Sequence, residues 1–137
     1  MQHTVNIFDI LFLAGRVIFG GYFVFNGLDH FMKLGMMAGY AKSKGVPAPS
    51  IAVPVTGLMI LLGGLSIILG FHPTIGSILL AAFLIPTSFI MHGYWRVQEP
   101  QGKMAEMVNF TKNMALLGAL LMFLAIPRPF VLSVMLW

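Results

Sequence analysis

A single guanidinium, Arg16, interrupts an apolar run near the N-terminus, and most of the other residues able to carry chemistry fall in two clusters. The first holds Asn26, Asp29, His30 and Lys33; the second holds His92, Arg96, Asn109, Lys112 and Asn113. Imidazole, ammonium and carboxamide groups of this kind suit a quinone head, whose two carbonyls accept hydrogen bonds and whose reduction takes up protons. They suit an anionic lipid headgroup equally well. Two histidines from different segments could also ligate one iron, but no local His spacing calls for a metal and carboxylates are few, so no metal site is expected. The chain has no cysteine, which removes disulfides, thiolate metal sites, iron–sulfur ligation and CxxC redox relays. No intrinsic cofactor is expected, and a redox role needs a borrowed one, for which quinone fits. His3 and His72 stand apart from both clusters and are expected in solvent.

The elements that must position these residues are set by composition. Of 137 residues, 58% are hydrophobic and only 9% charged, with a mean hydropathy of +0.92. A chain this short encloses one modest core, so the remaining apolar side chains need lipid as solvent and a single domain over 1–137 is expected. The net charge of +4 does not indicate nucleic acid, because the eight Lys and Arg are scattered between apolar runs rather than gathered in a stripe. The eleven Met and twelve Phe read as lipid-facing and core filling rather than as a cofactor box.

Four apolar runs, at approximately 5–28, 51–70, 75–92 and 107–126, reach the roughly 20 residues needed to cross a hydrocarbon core. The N-terminus has neither a basic n-region nor an A-x-A cleavage site, so the first run is expected to be retained. Pro47, Pro49 and Ser50 mark the entry to the second run, and Pro127 and Pro129 stop the fourth. The fold class is therefore all-α: an integral membrane four-helix bundle with up-down topology. Between the first two runs, Phe31, Leu34, Ala38 and Ala41 fall at helical spacing, which fits a short interfacial helix or an irregular loop. Tyr94, Trp95 and Arg96 place aromatic and basic groups where a span meets headgroups.

With four spans, the first and third loops share a side, and they hold Lys33, Lys42, Lys44, Arg96 and Lys103 against Arg128 opposite. Positive charge retained on the cytoplasmic side then puts both termini outside, in the periplasm if the source is a bacterium. The same topology brings the end of helix one, the end of helix three and the start of helix four to one membrane face. Asn26, His30, Lys33, His92, Arg96, Lys112 and Asn113 are thereby neighbours: a ligand pocket in one reading, ordinary interfacial anchors in the other. Arg16 lies well inside its span, where a charge costs at least about 2.5 kcal/mol at the centre. It is expected to face protein, water or a ligand, or else to snorkel or bond free carbonyls and Asp9.

Lipid offers helices no hydrophobic drive to associate, so small residues are expected at the seams. These are Gly20, Gly21 and Gly27, then Gly57, Gly63 and Gly64, then Ser77 and Ala81, then Ala115, Gly118 and Ala119. Pro86 leaves the Ala82 carbonyl without its usual donor, a deficit Thr87 and Ser88 could repair.

Taken in order, several segments carry a resemblance. They are Arg16, Phe25-Asn26-Gly27 running to His30-Phe31-Met32-Lys33-Leu34, Gly45-Val46-Pro47-Ala48-Pro49, Leu62-Gly63-Gly64-Leu65, His92-Gly93-Tyr94-Trp95-Arg96 with Glu99-Pro100, and Phe110 to Gly118. Together they resemble the DoxX-like membrane proteins over nearly the whole chain. The resemblance implies a four-helix membrane fold and, as in some members, a subunit of a thiosulfate:quinone oxidoreductase. Many relatives carry a Glu shortly before the paired glycines, where this chain has Ile60.

Two functions follow as expectations. In one, the chain is the membrane subunit of an oxidoreductase, binding quinone while a redox protein partner supplies the other cofactor. In the other, it is a non-catalytic accessory or scaffold subunit of a larger membrane complex, or a lipid binder. Homo-oligomers fit either, and a transporter fits less well without an inverted repeat.

Overall fold

Asn6 starts the first helix through a reciprocal cap. Its side chain accepts from the backbone N–H of Phe8 and Asp9, and the Asp9 carboxylate accepts from the backbone N–H of Asn6. From there α1 runs Ile7–Met32, followed by α2 Leu34–Ser43, α3 Pro49–Leu69, α4 Pro73–Ile90, a 3-10 turn at Tyr94–Arg96, and α5 Pro100–Ala125. This is a computed structural model describing residues 4–134; His3 lies outside the described residues.

Four segments, Ile7–Met32, Pro49–Leu69, Pro73–Arg96 and Pro100–Ala125, are long and apolar enough to cross a membrane. The helices leave large apolar side chains outward, Phe8 at 76%, Ile18 at 75% and Met122 at 67% exposure among them. Such a surface is stable only against lipid, so the chain is an all-helical, multi-pass membrane protein.

Two boundaries differ from the sequence expectation, and both have local causes. No helix stop precedes Lys33, so α1 continues through Asp29 and His30 to Met32. The polar segment expected to be loop up to about residue 106 is instead the first two turns of α5. Glu99 caps it, its carboxylate accepting from the backbone N–H of Gln101 at 2.9 Å and Gly102 at 2.6 Å, and Pro100 occupies the first turn. The segment between the first two spans is helical, as the spacing of its apolar residues suggested.

α1 packs on α3, α3 on α4 and α4 on α5, with α2 lying against α3. The α1–α3 seam is a backbone contact. A Cβ built on Gly20 would stand 2.6 Å from the Gly64 carbonyl oxygen, and one on Gly64 would stand 2.6 Å from the Gly20 oxygen. Gly27 meets Gly57 and Leu61 two turns further on. Between α3 and α4, Gly63 and Gly76 play the same part. Gly21 and Gly118 do not belong to a seam: a Cβ on either meets nothing within 4 Å. Phe23, Ile60, Ile67, Leu80, Leu84 and Leu120 form the buried core. At Pro86, Ser88 donates to the Leu84 carbonyl at 2.6 Å, not to the Ala82 carbonyl freed by the proline.

The contact between α1 and α5 is of another kind. Among the described residues no Cα of α1 comes within 8 Å of one in α5. The seam is filled by side chains: Phe19 against Phe123 with ring centroids 5.1 Å apart, Phe12 against Phe123 at 6.1 Å, and Lys112 Nζ 5.6 Å over the Tyr22 ring.

Candidate functional site

A cavity of about 510 Å³ opens where α1, α3, α4 and α5 meet under α2. Each element contributes by its register: Tyr22, Asn26 and His30 from α1, Thr56 and Ile60 from α3, Phe83 and Thr87 from α4, with His92 just after it, and Lys112 and Asn113 from α5. Met36, Met37 and Tyr40 of α2 cover it. Several polar side chains therefore reach the cavity, but by area its walls are mostly apolar, as in sites that bury a small organic molecule.

Five of the eight residues expected in a binding cluster, Asn26, His30, His92, Lys112 and Asn113, line this one cavity. Asn26 is already engaged, donating from its side-chain nitrogen to the Tyr22 carbonyl at 2.7 Å. Its own carbonyl lies 2.7 Å from His30 Nδ1, and since a carbonyl only accepts, that nitrogen carries the proton. Lys112 donates to Asn109 Oδ1 at 3.2 Å and stands over Tyr22. Asn113 is 4% exposed, yet its amide bonds no described residue. The amide atoms are not sealed off within the protein, so the group is open to a ligand or water entering the cavity.

The other three lie elsewhere. Lys33 is on the surface, paired with Asp29 one helical turn back at 2.8 Å. Arg96 folds over the end of α4 and donates to the Phe89 and Ile90 carbonyls at 2.6 and 2.8 Å, capping groups the helix leaves free. Arg16 is fully buried about fourteen residues before His30, roughly 21 Å along the helix. Its fork donates to the Ile67 and Ile68 carbonyls at 3.0 and 2.6 Å and to the Val131 and Leu132 carbonyls at 2.6 and 3.3 Å. Phe12 and Phe130 flank it, their ring centroids 5.6 and 5.7 Å from the guanidinium carbon. Arg16 therefore points into the bundle and ties α1 to the end of α3 and to the chain returning after α5.

Glu106 was not among the expected site residues, and it organises the cavity rim. Its Oε1 accepts from the Tyr40 hydroxyl and from Lys44 Nζ, both at 2.7 Å, and its Oε2 lies 2.7 Å from His92 Nδ1. One carboxylate thus holds the covering helix, the loop after it and the end of the third span. Its hydrogen bond, partly offset by burial, raises the Lys44 ammonium above the ordinary lysine range, which keeps that partner charged. The signal was in the spacing: residues 106, 109, 110 and 113 share one helical face once α5 is allowed to begin before Glu106. Ile60 is fully buried in the cavity wall, and the carboxylate that bonds His92 comes from α5. Among the described residues no group of three or more His, Asp or Glu side chains is arranged to hold a metal ion.

A family model described as DoxX matches residues 11–93, which is more than half of the chain and covers most of α1 and all of α2, α3 and α4. It includes Arg16, Asn26, His30 and His92 and ends before Glu106, Lys112 and Asn113. No curated protein and no solved structure gives a match.

Proposed function

The chain belongs to the DoxX family, and from that premise we propose that it is the membrane subunit of a quinone-linked oxidoreductase, holding a quinone head in the cavity between His30, His92 and Asn113. The observation that supports this reading is the cavity itself, largely apolar by area, with two imidazoles and the Asn113 side chain on its wall. The α1–α5 seam is compatible with it: side chains rather than backbone contacts close it, so a tail leaving the cavity there would displace rings, not helices. A protein partner carrying its own redox group exchanges electrons with the bound head, since this chain offers no cysteine.

The proposal includes an up-down course with both termini outside. Lys33, Lys42, Lys44, Arg96 and Lys103 then lie on the inner side, which puts the cavity in the cytoplasmic half of the bilayer.

The test is gentle purification from native membranes, followed by quinone extraction and identification of co-purifying chains. Near-stoichiometric quinone in the native protein, lost in Asn113→Leu without loss of thermal stability, is the expected result. A co-purifying partner with no quinone in either protein would sink this reading in favour of an accessory or scaffold subunit.

A further inference from the structure

The two cavity imidazoles are not neutral bystanders to the redox state of what binds between them, because their tautomers are set by the protein. His30 Nδ1 faces a backbone carbonyl at 2.7 Å and must donate to it. His92 Nδ1 faces Glu106 Oε2 at 2.7 Å, and that carboxylate already accepts from Lys44 and Tyr40 through Oε1. An ionised carboxylate is acceptor-only, so His92 Nδ1 donates as well. In both neutral rings the proton is therefore on Nδ1, and Nε2 is left with a lone pair. No described residue bonds either Nε2.

The remaining polar groups of the cavity do not redress this balance. Thr56 donates to the Ala52 carbonyl at 2.8 Å, Tyr40 to Glu106, and Asn26 to the Tyr22 carbonyl. Asn113, Thr87 and Tyr22 can each donate or accept, and Lys112 is the one donor-only side chain on the wall. Two fixed acceptors thus stand against one fixed donor.

We propose that the cavity is built for the reduced, hydroxyl-bearing form of its ligand, a hydroquinone-type head on a long apolar tail, with His30 and His92 accepting its hydroxyl hydrogen bonds at Nε2. This rests on the reading of the cavity as a quinone-head site. A quinone carbonyl placed against either Nε2 sets lone pair against lone pair, whereas a hydroxyl there donates. At His92 the partner of Nδ1 is a carboxylate oxygen rather than a backbone carbonyl, and the second carboxylate oxygen is held by Lys44 and Tyr40, so the ring's orientation is fixed from outside the cavity. Glu106 is a positioning residue here: it fixes which nitrogen of His92 faces the ligand.

The experiment compares binding of decylubiquinone and of its chemically reduced quinol to the purified full chain, under anaerobic conditions, by equilibrium retention. Wild type is expected to hold the quinol at least about tenfold more tightly, the factor that one hydrogen bond gained instead of a repulsive contact supplies. In Glu106→Gln, the amide oxygen continues to accept from Lys44 and Tyr40 while its NH₂ turns to His92 Nδ1. The tautomer reverses, and the preference is expected to fall or invert. Nitrogen-15 NMR of histidine-labelled wild type without ligand provides a second readout that does not depend on the variant folding. It is expected to show both rings protonated at Nδ1. Equal affinity for the two forms, a preference for the quinone, or Nε2-protonated rings in wild type would overturn the proposal while leaving a quinone-binding cavity. Binding of neither form would overturn that underlying reading too.

Discussion

The backbones of Gly20 and Gly64 meet so closely that a Cβ on either residue would stand 2.6 Å from the other's carbonyl oxygen. Neither oxygen belongs to a flexible side chain, so an added methyl group must push α1 and α3 apart.

Gly64→Ala is therefore expected to cost about 1–3 kcal/mol, the usual range for overpacking a tight contact. Gly118→Ala is the control. Its Cβ meets nothing within 4 Å, and alanine is the better helix former, so stability should hold or rise. Thermal unfolding of both variants in one detergent checks the pair, and equal losses would remove the seam from the account.

Arg16 satisfies four carbonyls from two separate segments, and no neutral side chain can do that. Arg16→Leu should destabilise by about 3–5 kcal/mol, as when one partner of a buried polar network is removed. Arg16→Lys should recover only part of this, since an ammonium lacks the planar fork. Quinone content per folded molecule should be unchanged in the lysine variant, because Arg16 lies far from the cavity. Loss of bound quinone from stable, folded Arg16→Lys would return Arg16 to the binding site.

The parts of this fold that were legible in the sequence are those governed by local rules. Lipid-crossing runs announce themselves through hydropathy, and Gly20, Gly27, Gly57 and Gly64 through their small size, which also singled out Gly21 and Gly118 away from any seam. The convergence of His30, His92, Lys112 and Asn113 needed only the order and length of the spans. What local rules could not supply was the pairing of groups distant in sequence. Glu106 falls just before the fourth apolar run, and hydropathy alone does not show that the Glu99 cap and Pro100 start the helix two polar turns earlier. Arg16 bonds free carbonyls, one of the readings its depth allowed, but which carbonyls was not legible, because backbone groups carry no residue signature and two of them lie on a segment that returns after the last helix. Lys33 and Arg96 do not line the cavity for the converse reason: each finds a partner within one or two turns, Asp29 for one and the end of α4 for the other.

Membrane orientation is testable by labelling single cysteines in a chain that has none. Ser43 and Gln101 are exposed on the side expected to be cytoplasmic, and Val134 is exposed at the other end. In intact cells an impermeant thiol reagent should label Val134→Cys and spare the other two. The opposite pattern would move the cavity to the outer half of the bilayer.

The Glu99 cap gives a pH dependence of known sign. Its carboxylate is held below the usual range by the backbone N–H groups of Gly102 and Gln101. A depressed folded-state pKa means the cap contributes fully above the unfolded value near 4.5 and is lost as pH falls through the folded value. Between neutral pH and about pH 4.5, wild type should keep this contribution. Glu99→Gln should lack the further decline at lower pH, as read by hydrogen exchange in the first turn of α5.

Glu106 should fasten α2 over the cavity. Its Oε1 takes both hydrogen bonds that join α2 and the following loop to α5, from Tyr40 and from Lys44, and α2 has no side-chain N-cap of its own. α2 has only Ala41 fully buried, so it has little apolar burial to hold it in place once those bonds are gone. Glu106→Ala should accordingly speed backbone hydrogen exchange across residues 34–43 by tenfold or more, given that each charge-assisted bond contributes about 1.5–3 kcal/mol. Exchange in the α3 and α4 core, around Ile60, Ile67, Leu80 and Leu84, should change little. Tyr40→Phe removes one of the two bonds and leaves the ion pair, so its effect should be in the same segment and smaller. If Glu106→Ala instead loosened all the helices together, the carboxylate would be a general support of the bundle rather than the fastening of its cover.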